Sequence, residues 1–329
     1  MILVTGGAGY IGSHTAVMLL EKGYDIVVVD NFSNSHPGVL DSIRKITGKD
    51  FAFREMDLND PIATSRVFEE FRPRSVIHFA GLKAVGESVR VPLAYYKNNI
   101  TTTINLLEAM RMYNTRQIIF SSSATVYSAA NHMPLTEDAI LGCSNPYGWT
   151  KFMCEQIITD TISVSDGFSA VLLRYFNPVG AHESGLIGEN PRGIPNNLMP
   201  FVTQTAAGIQ KELSVFGADY DTSDGTGVRD YIHITDLAAG HVAALDHCVG
   251  NPGTHVFNLG TGQGTSVLEM VHAFEKVTGV KVPYKIADRR PGDIATCYAD
   301  PARARDVLGW IAEKTVEEMC ADAWRWESR

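Results

Sequence analysis

The chain is expected to fold as a two-lobed α/β protein, with a doubly wound parallel sheet followed by a smaller α/β lobe. Three observations carry that prediction. Short β-branched runs alternate with amphipathic stretches through the first half of the sequence. Those runs are apolar at nearly every position, which suits strands buried on both faces beneath covering helices. A glycine-rich turn, Thr5-Gly6-Gly7-Ala8-Gly9-Tyr10-Ile11-Gly12, joins the first run to the first amphipathic stretch.

Taken in order, strands are predicted at residues 2–5, 26–30, 51–56, 75–80, 118–122 and 170–175. Helices are predicted between them at 11–22, 62–71, 93–113 and 147–161, where apolar residues recur at helical spacing. The composition then changes. Residues 177–230 are rich in Gly, Pro and Asn, and long periodic segments become scarce. Helices return at 235–248, 266–278, 301–308 and 315–325. Residues 1–176 therefore read as the dinucleotide-binding lobe and 177–329 as the substrate lobe, with strands and helices free to cross between them. No internal repeat or low-complexity tract is visible.

The bulk numbers exclude several classes. The 329 residues are 45% hydrophobic and 20% charged, an ordinary globular composition. A net charge of -9 argues against a nucleic-acid partner. The five cysteines are scattered, with no Cys-x-x-Cys pair and no His/Cys cluster, so no metal is expected and a reducing compartment is. His78 and His233 lie among apolar neighbours and read as satisfied core residues. No signal peptide or membrane span is evident, which makes the cytoplasm the expected location.

Gly6, Gly9 and Gly12 form a variant of the dinucleotide fingerprint in the strand-turn-helix setting that motif requires. Glycine permits the tight turn and lets backbone approach a pyrophosphate, which the N–H groups of a helix N-terminus then hold. Asp30 ends the second strand about 20 residues on, where a carboxylate binds the adenosine ribose. It would repel a 2′-phosphate, and Asn31-Phe32-Ser33 brings no arginine, so NAD is expected rather than NADP. Asp57-Leu58 closes the third strand; Asp57 either binds the adenine amino group or caps a turn. Phe79-Ala80-Gly81-Leu82-Lys83 closes the fourth beside the pyrophosphate, with Lys83 a candidate phosphate contact.

Tyr147-Gly148-Trp149-Thr150-Lys151 sets a tyrosine and a lysine one helical turn apart, on one face. A nearby cation favours phenolate, and bringing a phenol from about 10 to near 7 takes roughly 4 kcal/mol. The lysine and a cationic nicotinamide are the two charges available. Upstream, Ser121-Ser122-Ser123 ends an apolar strand. Ser123, Tyr147 and Lys151 in this order on a dinucleotide-binding fold make a redox active site.

These features resemble the extended short-chain dehydrogenase/reductases, and within them the UDP-hexose 4-epimerases. The resemblance spans nearly the whole chain. It is most specific at residues 78–88 (His-Phe-Ala-Gly-Leu-Lys-Ala-Val-Gly-Glu-Ser), 173–181 (Leu-Arg-Tyr-Phe-Asn-Pro-Val-Gly-Ala), 193–200 and 225–233. It implies interconversion of UDP-galactose and UDP-glucose through a transient 4-keto sugar. Tyr147 would take the 4-hydroxyl proton, Ser123 would bond the same oxygen, and Lys151 would bind the nicotinamide ribose. NAD would stay bound, since the net redox change is zero. Asn31, Asn34, Ser35, Tyr10, Ile11, Asn98 and Phe176 join the implied cofactor contacts. Asn177, Asn197, Leu198, Arg229, Arg290 and Asp293 form the implied uridine diphosphate site. A homodimer is implied too, built on helices of the cofactor lobe; the stretches 93–113 and 147–161 fit that role or simple packing on the sheet.

Elementary chemistry agrees with this split, because a guanidinium holds a diphosphate bidentately. Arg229 and Arg290 could otherwise form surface ion pairs. Asn177 and Asn197 could instead cap turns or helices, and Phe216 either flanks the uracil or belongs to the core. Many family members carry tyrosine where this chain has Cys297, so room for a 2-acetamido group, and UDP-N-acetylhexosamine substrates, are expected. A 4,6-dehydratase would need a carboxylate where Ala124-Thr125 stand. Another NAD-dependent UDP-sugar epimerase or decarboxylase of the family is the alternative reading. A non-catalytic NAD-binding protein would have no reason to keep Ser123, Tyr147 and Lys151 together.

Overall fold

The computed structural model describes residues 1–190, 192, 195, 197–290 and 292–329. In the first half six strands form in chain order: β1 (Ile2–Thr5), β2 (Ile26–Asp30), β3 (Ala52–Glu55), β4 (Ser75–His78), β5 (Gln117–Ser123) and β6 (Ser169–Tyr175). Helices α1 (Tyr10–Glu21), α2 (Gly38–Thr47), α3 (Pro61–Phe71), α4 (Val85–Arg90), α5 (Pro92–Tyr113) and α6 (Pro146–Ser163) lie between them. The strands pair in parallel in the order β3-β2-β1-β4-β5-β6, and the strand Gly253–Leu259 adds a seventh beside β6.

Alternation along β1 shows why both faces must be covered. Ile2 and Val4 pack into one core with α1 and the helix Ile234–Cys248, while Leu3 packs into another with α3, α5 and α6. Chain order reverses at β1, which sits between β2 and β4. The carboxyl ends of strands at such a switch point form the natural ligand crevice.

The remaining chain builds a smaller layer over those carboxyl ends. Asn177–Val179 pairs with Tyr231–His233, Val228–Arg229 with Thr265–Ser266 and Thr296–Cys297, and Leu213–Phe216 with Tyr284–Ala287. Its own core includes Met199, Val202, Val215, Met270, Phe274 and Met319.

All six predicted strands form, within two residues at each end. The helix Leu198–Ala206 and the short second-lobe strands escaped the sequence reading, as did three elements of the larger sheet layer. Gly253–Leu259 is only half-buried over its first four residues and carries Thr254, His255 and Asn258, so it lacks the apolar signature of the inner strands. Helix α2 follows a polar Asn-Ser-His-Pro stretch, and α4 is one short turn and a half. Residues 304–308, expected as part of an α-helix, wind instead as a π-turn ended by the left-handed Gly309.

Candidate active site

The glycine turn is set by close contacts. Gly6 has φ +67°, and a Cβ there would lie 2.7 Å from the Ala80 nitrogen. A Cβ on Gly12 would lie 2.3 Å from the Gly6 carbonyl oxygen, so α1 reaches the turn only because position 12 is bare. Gly9 caps α1 with no side-chain bond, which leaves the first-turn N–H groups facing the crevice for an anion. That bare backbone cradle fits the pyrophosphate of a dinucleotide.

Asp30 is held by three donors: Ala8 N at 3.0 Å, Phe32 N at 2.9 Å and the Ser35 hydroxyl at 2.8 Å. Ser35 thus orients the Asp30 carboxylate. Asn31 closes its own turn through Ser33 N at 3.0 Å. The loop after β2 also gains Arg192, whose guanidinium donates to the Ser35 carbonyl at 3.2 and 3.0 Å, and whose N–H points to Asn34. Local sequence held no sign of that arginine, because it arrives from a segment more than 150 residues away. Asp57 accepts from Asn59 N at 2.8 Å, so it does cap a turn, while also facing the cleft. Asn98 accepts from Asn59 Nδ2 at 2.9 Å. Tyr10 donates to the Gly180 carbonyl at 2.6 Å and so ties α1 to the second lobe.

The catalytic candidates converge. Ser123 ends β5, and its hydroxyl accepts from Thr125 N at 3.2 Å. Asn145 caps α6 through Gly148 N at 2.9 Å, and Pro146 begins the helix, so Tyr147 enters in its first turn. Tyr147 and Lys151 are both buried on one face of α6. The Lys151 ammonium donates to the Ser121 carbonyl at 2.6 Å and lies 5.9 Å from the centre of the Tyr147 ring. Burial pushes the Tyr147 phenol up to about 12, against a downward pull from its hydrogen bond with Ser123. Burial likewise lowers Lys151 to about 8, opposed by Cys154 and Glu155. The sequence assigned the acidic phenol to the lysine and a cationic nicotinamide together; with protein groups alone the phenol stays high. Desolvation is the largest influence on both groups.

At the other end, Arg290 donates to Asp293 at 2.8 Å, and Arg229 lies 3.8 Å from the same carboxylate. Asn197 donates to Glu189 at 2.6 Å, and Lys83 bonds that carboxylate at 3.2 Å, a partner the sequence did not suggest. Burial raises the Cys297 thiol to about 11, which suits a pocket wall and not a nucleophile.

One cleft of about 940 Å³ is lined by every sequence-derived site residue except Leu198 and Phe216. Leu198 opens a helix packed on the second-lobe core. Phe216 is 40% exposed with the Arg290 guanidinium 5.0 Å over its ring, so it is not a core phenylalanine. Gly193, Ile194 and Asn196 of the 193–200 stretch, and Pro291 of the arginine turn, lie outside the described residues.

Sheet, glycine cradle and the Ser-Tyr-Lys trio define an extended short-chain dehydrogenase/reductase. A family model described as GDP-mannose 4,6 dehydratase matches residues 3–323. The UDP-glucose 4-epimerase of Bacillus subtilis is 62% identical over 99% of this chain and 96% of its own length. That of Homo sapiens is 54% identical over 100% and 96%. Among solved structures, a UDP-glucose 4-epimerase from Bifidobacterium longum in complex with NAD+ and UDP superposes with a TM-score of 0.96, at 53% identity, covering 99% of this chain and 98% of that one. The chain belongs to the UDP-glucose 4-epimerase family.

Proposed function

We propose that the protein interconverts UDP-galactose and UDP-glucose through a transient 4-keto sugar, with NAD held throughout, and that Tyr147, Ser123 and Lys151 carry the chemistry. The observation that carries this reading is the meeting of all three side chains with the glycine cradle and the arginine pair in one cleft. Gly6, Gly9, Gly12 and Asp30 would hold the dinucleotide. Held there, NAD would supply the hydride acceptor and donor that the exchange at the sugar carbon requires.

Tyr147 takes the proton of the sugar 4-hydroxyl as its phenolate and gives it back after the sugar has turned. Ser123 bonds the same oxygen and keeps it within reach of the phenol. Lys151 binds the nicotinamide ribose, and its charge favours the phenolate. Arg229 and Arg290 grip the diphosphate and Asn177 and Asn197 the rest of the nucleotide, which leaves the hexose free to rotate. In this reading residues 1–176 serve the cofactor and 177–329 the nucleotide sugar. Ala124 and Thr125 stand in the turn after Ser123 and supply no carboxylate, so dehydration lacks its acid and base.

Cys297 supports a second substrate pair, the UDP-N-acetylhexosamines, because a thiol leaves more room at the pocket wall than tyrosine would. Leu93, Ile104 and Met112 on α5, and Trp149 and Met153 on α6, are exposed on two helices that pack together, which supports a homodimer through this face. The five unpaired cysteines support a reducing, cytoplasmic setting.

Purified protein given UDP-galactose, with no added NAD, should form UDP-glucose. Tyr147→Phe should lower turnover by about a thousandfold. Absence of turnover even with NAD supplied would reject this substrate assignment.

A further inference from the structure

Ser122, Arg174 and Asn258 stand in cross-strand register on β5, β6 and the strand Gly253–Leu259. All three are buried, and they form a polar row across a sheet whose inner strands are otherwise mostly apolar. A guanidinium at that depth needs a full set of partners. Glu155 supplies the charge: Arg174 Nε and Nη2 donate to its two oxygens at 3.0 and 2.7 Å, and both side chains are 5% exposed. Arg174 Nη1 donates to the Tyr127 hydroxyl at 3.2 Å and the Glu137 carbonyl at 3.1 Å. Tyr127 donates onward to Asn258 at 2.6 Å.

The position of Glu155 gives this cluster its meaning. It lies one turn beyond Lys151 and two beyond Tyr147, so α6 presents all three on one buried face. Its carboxylate also accepts the Ser122 hydroxyl. Three consecutive serines thus have three tasks. The Ser121 carbonyl takes the Lys151 ammonium, the Ser122 hydroxyl takes Glu155, and Ser123 faces Tyr147.

We propose that Glu155 and Arg174 are positioning residues for the epimerisation, clamping the carboxyl end of β5 to α6 so that Ser123 and Lys151 keep their places around Tyr147. The proposal rests on the catalytic roles assigned above. Of the titratable groups that face Tyr147 and Lys151, His78 comes from β4, Tyr95 from α5, Cys154 and Glu155 from α6, and Tyr175 from β6. Glu155 is the carboxylate among them, so the clamp also sets the field at the ammonium.

Ser122→Ala tests the clamp gently, because it removes one tie to β5 and leaves the ion pair intact. The NAD-loaded variant should lose about tenfold in kcat with KM for UDP-galactose changed less than about twofold, and the acid limb of its kcat–pH profile should move up by about one unit. Glu155→Gln, which also strands the buried Arg174 charge, should lower kcat further. If it fails to fold, Ser122→Ala together with Tyr127→Phe decides the matter. A lowered melting temperature with kcat and pH profile unchanged in Ser122→Ala would overturn the proposal. Tyr147→Phe, run alongside, separates the two claims: an active Tyr147→Phe defeats the catalytic assignment, whereas an inactive one beside an unaltered Ser122→Ala defeats the clamp alone.

Discussion

The two ends of the cleft hold charge in opposite ways. At the glycine-turn end Asp30 is fixed by backbone N–H groups and one hydroxyl, beside a turn of bare glycine backbone. At the other end charges neutralise one another, with Arg290 and Arg229 on Asp293, and Asn197 on Glu189, a carboxylate that also takes Lys83, which the sequence set beside the pyrophosphate. Backbone donors cannot rotate away, so the first arrangement suits a resident ligand. Paired side chains exchange one anion for another and leave no unpaired charge between turnovers, which suits a ligand that comes and goes. Ser123, Tyr147 and Lys151 line the same cleft.

The largest effect should be on the phenol. Tyr147 lies at about 12 with protein groups alone, and a base acts deprotonated, so activity must rise with pH through its ionisation. Ultraviolet titration of phenolate, with Tyr147→Phe as the blank, should show NAD binding bringing that ionisation down by about two units or more. No difference between NAD-stripped and NAD-loaded protein would remove the argument that the cofactor completes the base.

Next in size, Arg290→Ala should raise KM for UDP-galactose by about thirtyfold, the loss of a charge-assisted diphosphate contact, with bound NAD unchanged. An unaltered KM would mean the guanidinium serves only Asp293 and Phe216. Gly12→Val attacks the opposite end. Its Cβ would fall 2.3 Å from the Gly6 oxygen, and purified variant should retain about a tenth of the wild-type NAD content. Full NAD occupancy there would break the contrast between a rigid and an exchangeable end. The smallest effect should come from Cys297→Tyr. The ratio of UDP-N-acetylgalactosamine to UDP-galactose turnover should fall by about tenfold at most, through steric exclusion; an unchanged ratio would make the cysteine neutral for specificity.

Legibility followed the range of the interactions. The glycine turn, Asp30 and the Tyr147–Lys151 spacing are local, each set by residues within one strand-turn-helix unit or one helical turn, and all fell where the sequence placed them. Lys83 shows the limit: its neighbours suggested a phosphate contact, yet its partner, Glu189, lies 106 positions away. Arg192 and Glu155 were missed for the same reason. Nothing in a Gly/Pro-rich stretch marks Arg192 for the loop after β2, and Glu155 reads as an ordinary helical glutamate until Arg174 is opposite it.

By itself, the sequence determined the parallel sheet, the glycine turn and the shared face of Tyr147 and Lys151, because hydrophobic period, backbone permissiveness and i,i+4 spacing are properties of short segments. Only the tertiary structure decided which charges meet across the cleft and the height of the tyrosine's ionisation. It also placed Gly253–Leu259 as the strand that completes the sheet. Those outcomes depend on burial and on contacts between residues remote in the chain, and desolvation is a property of the packed molecule that no local pattern encodes.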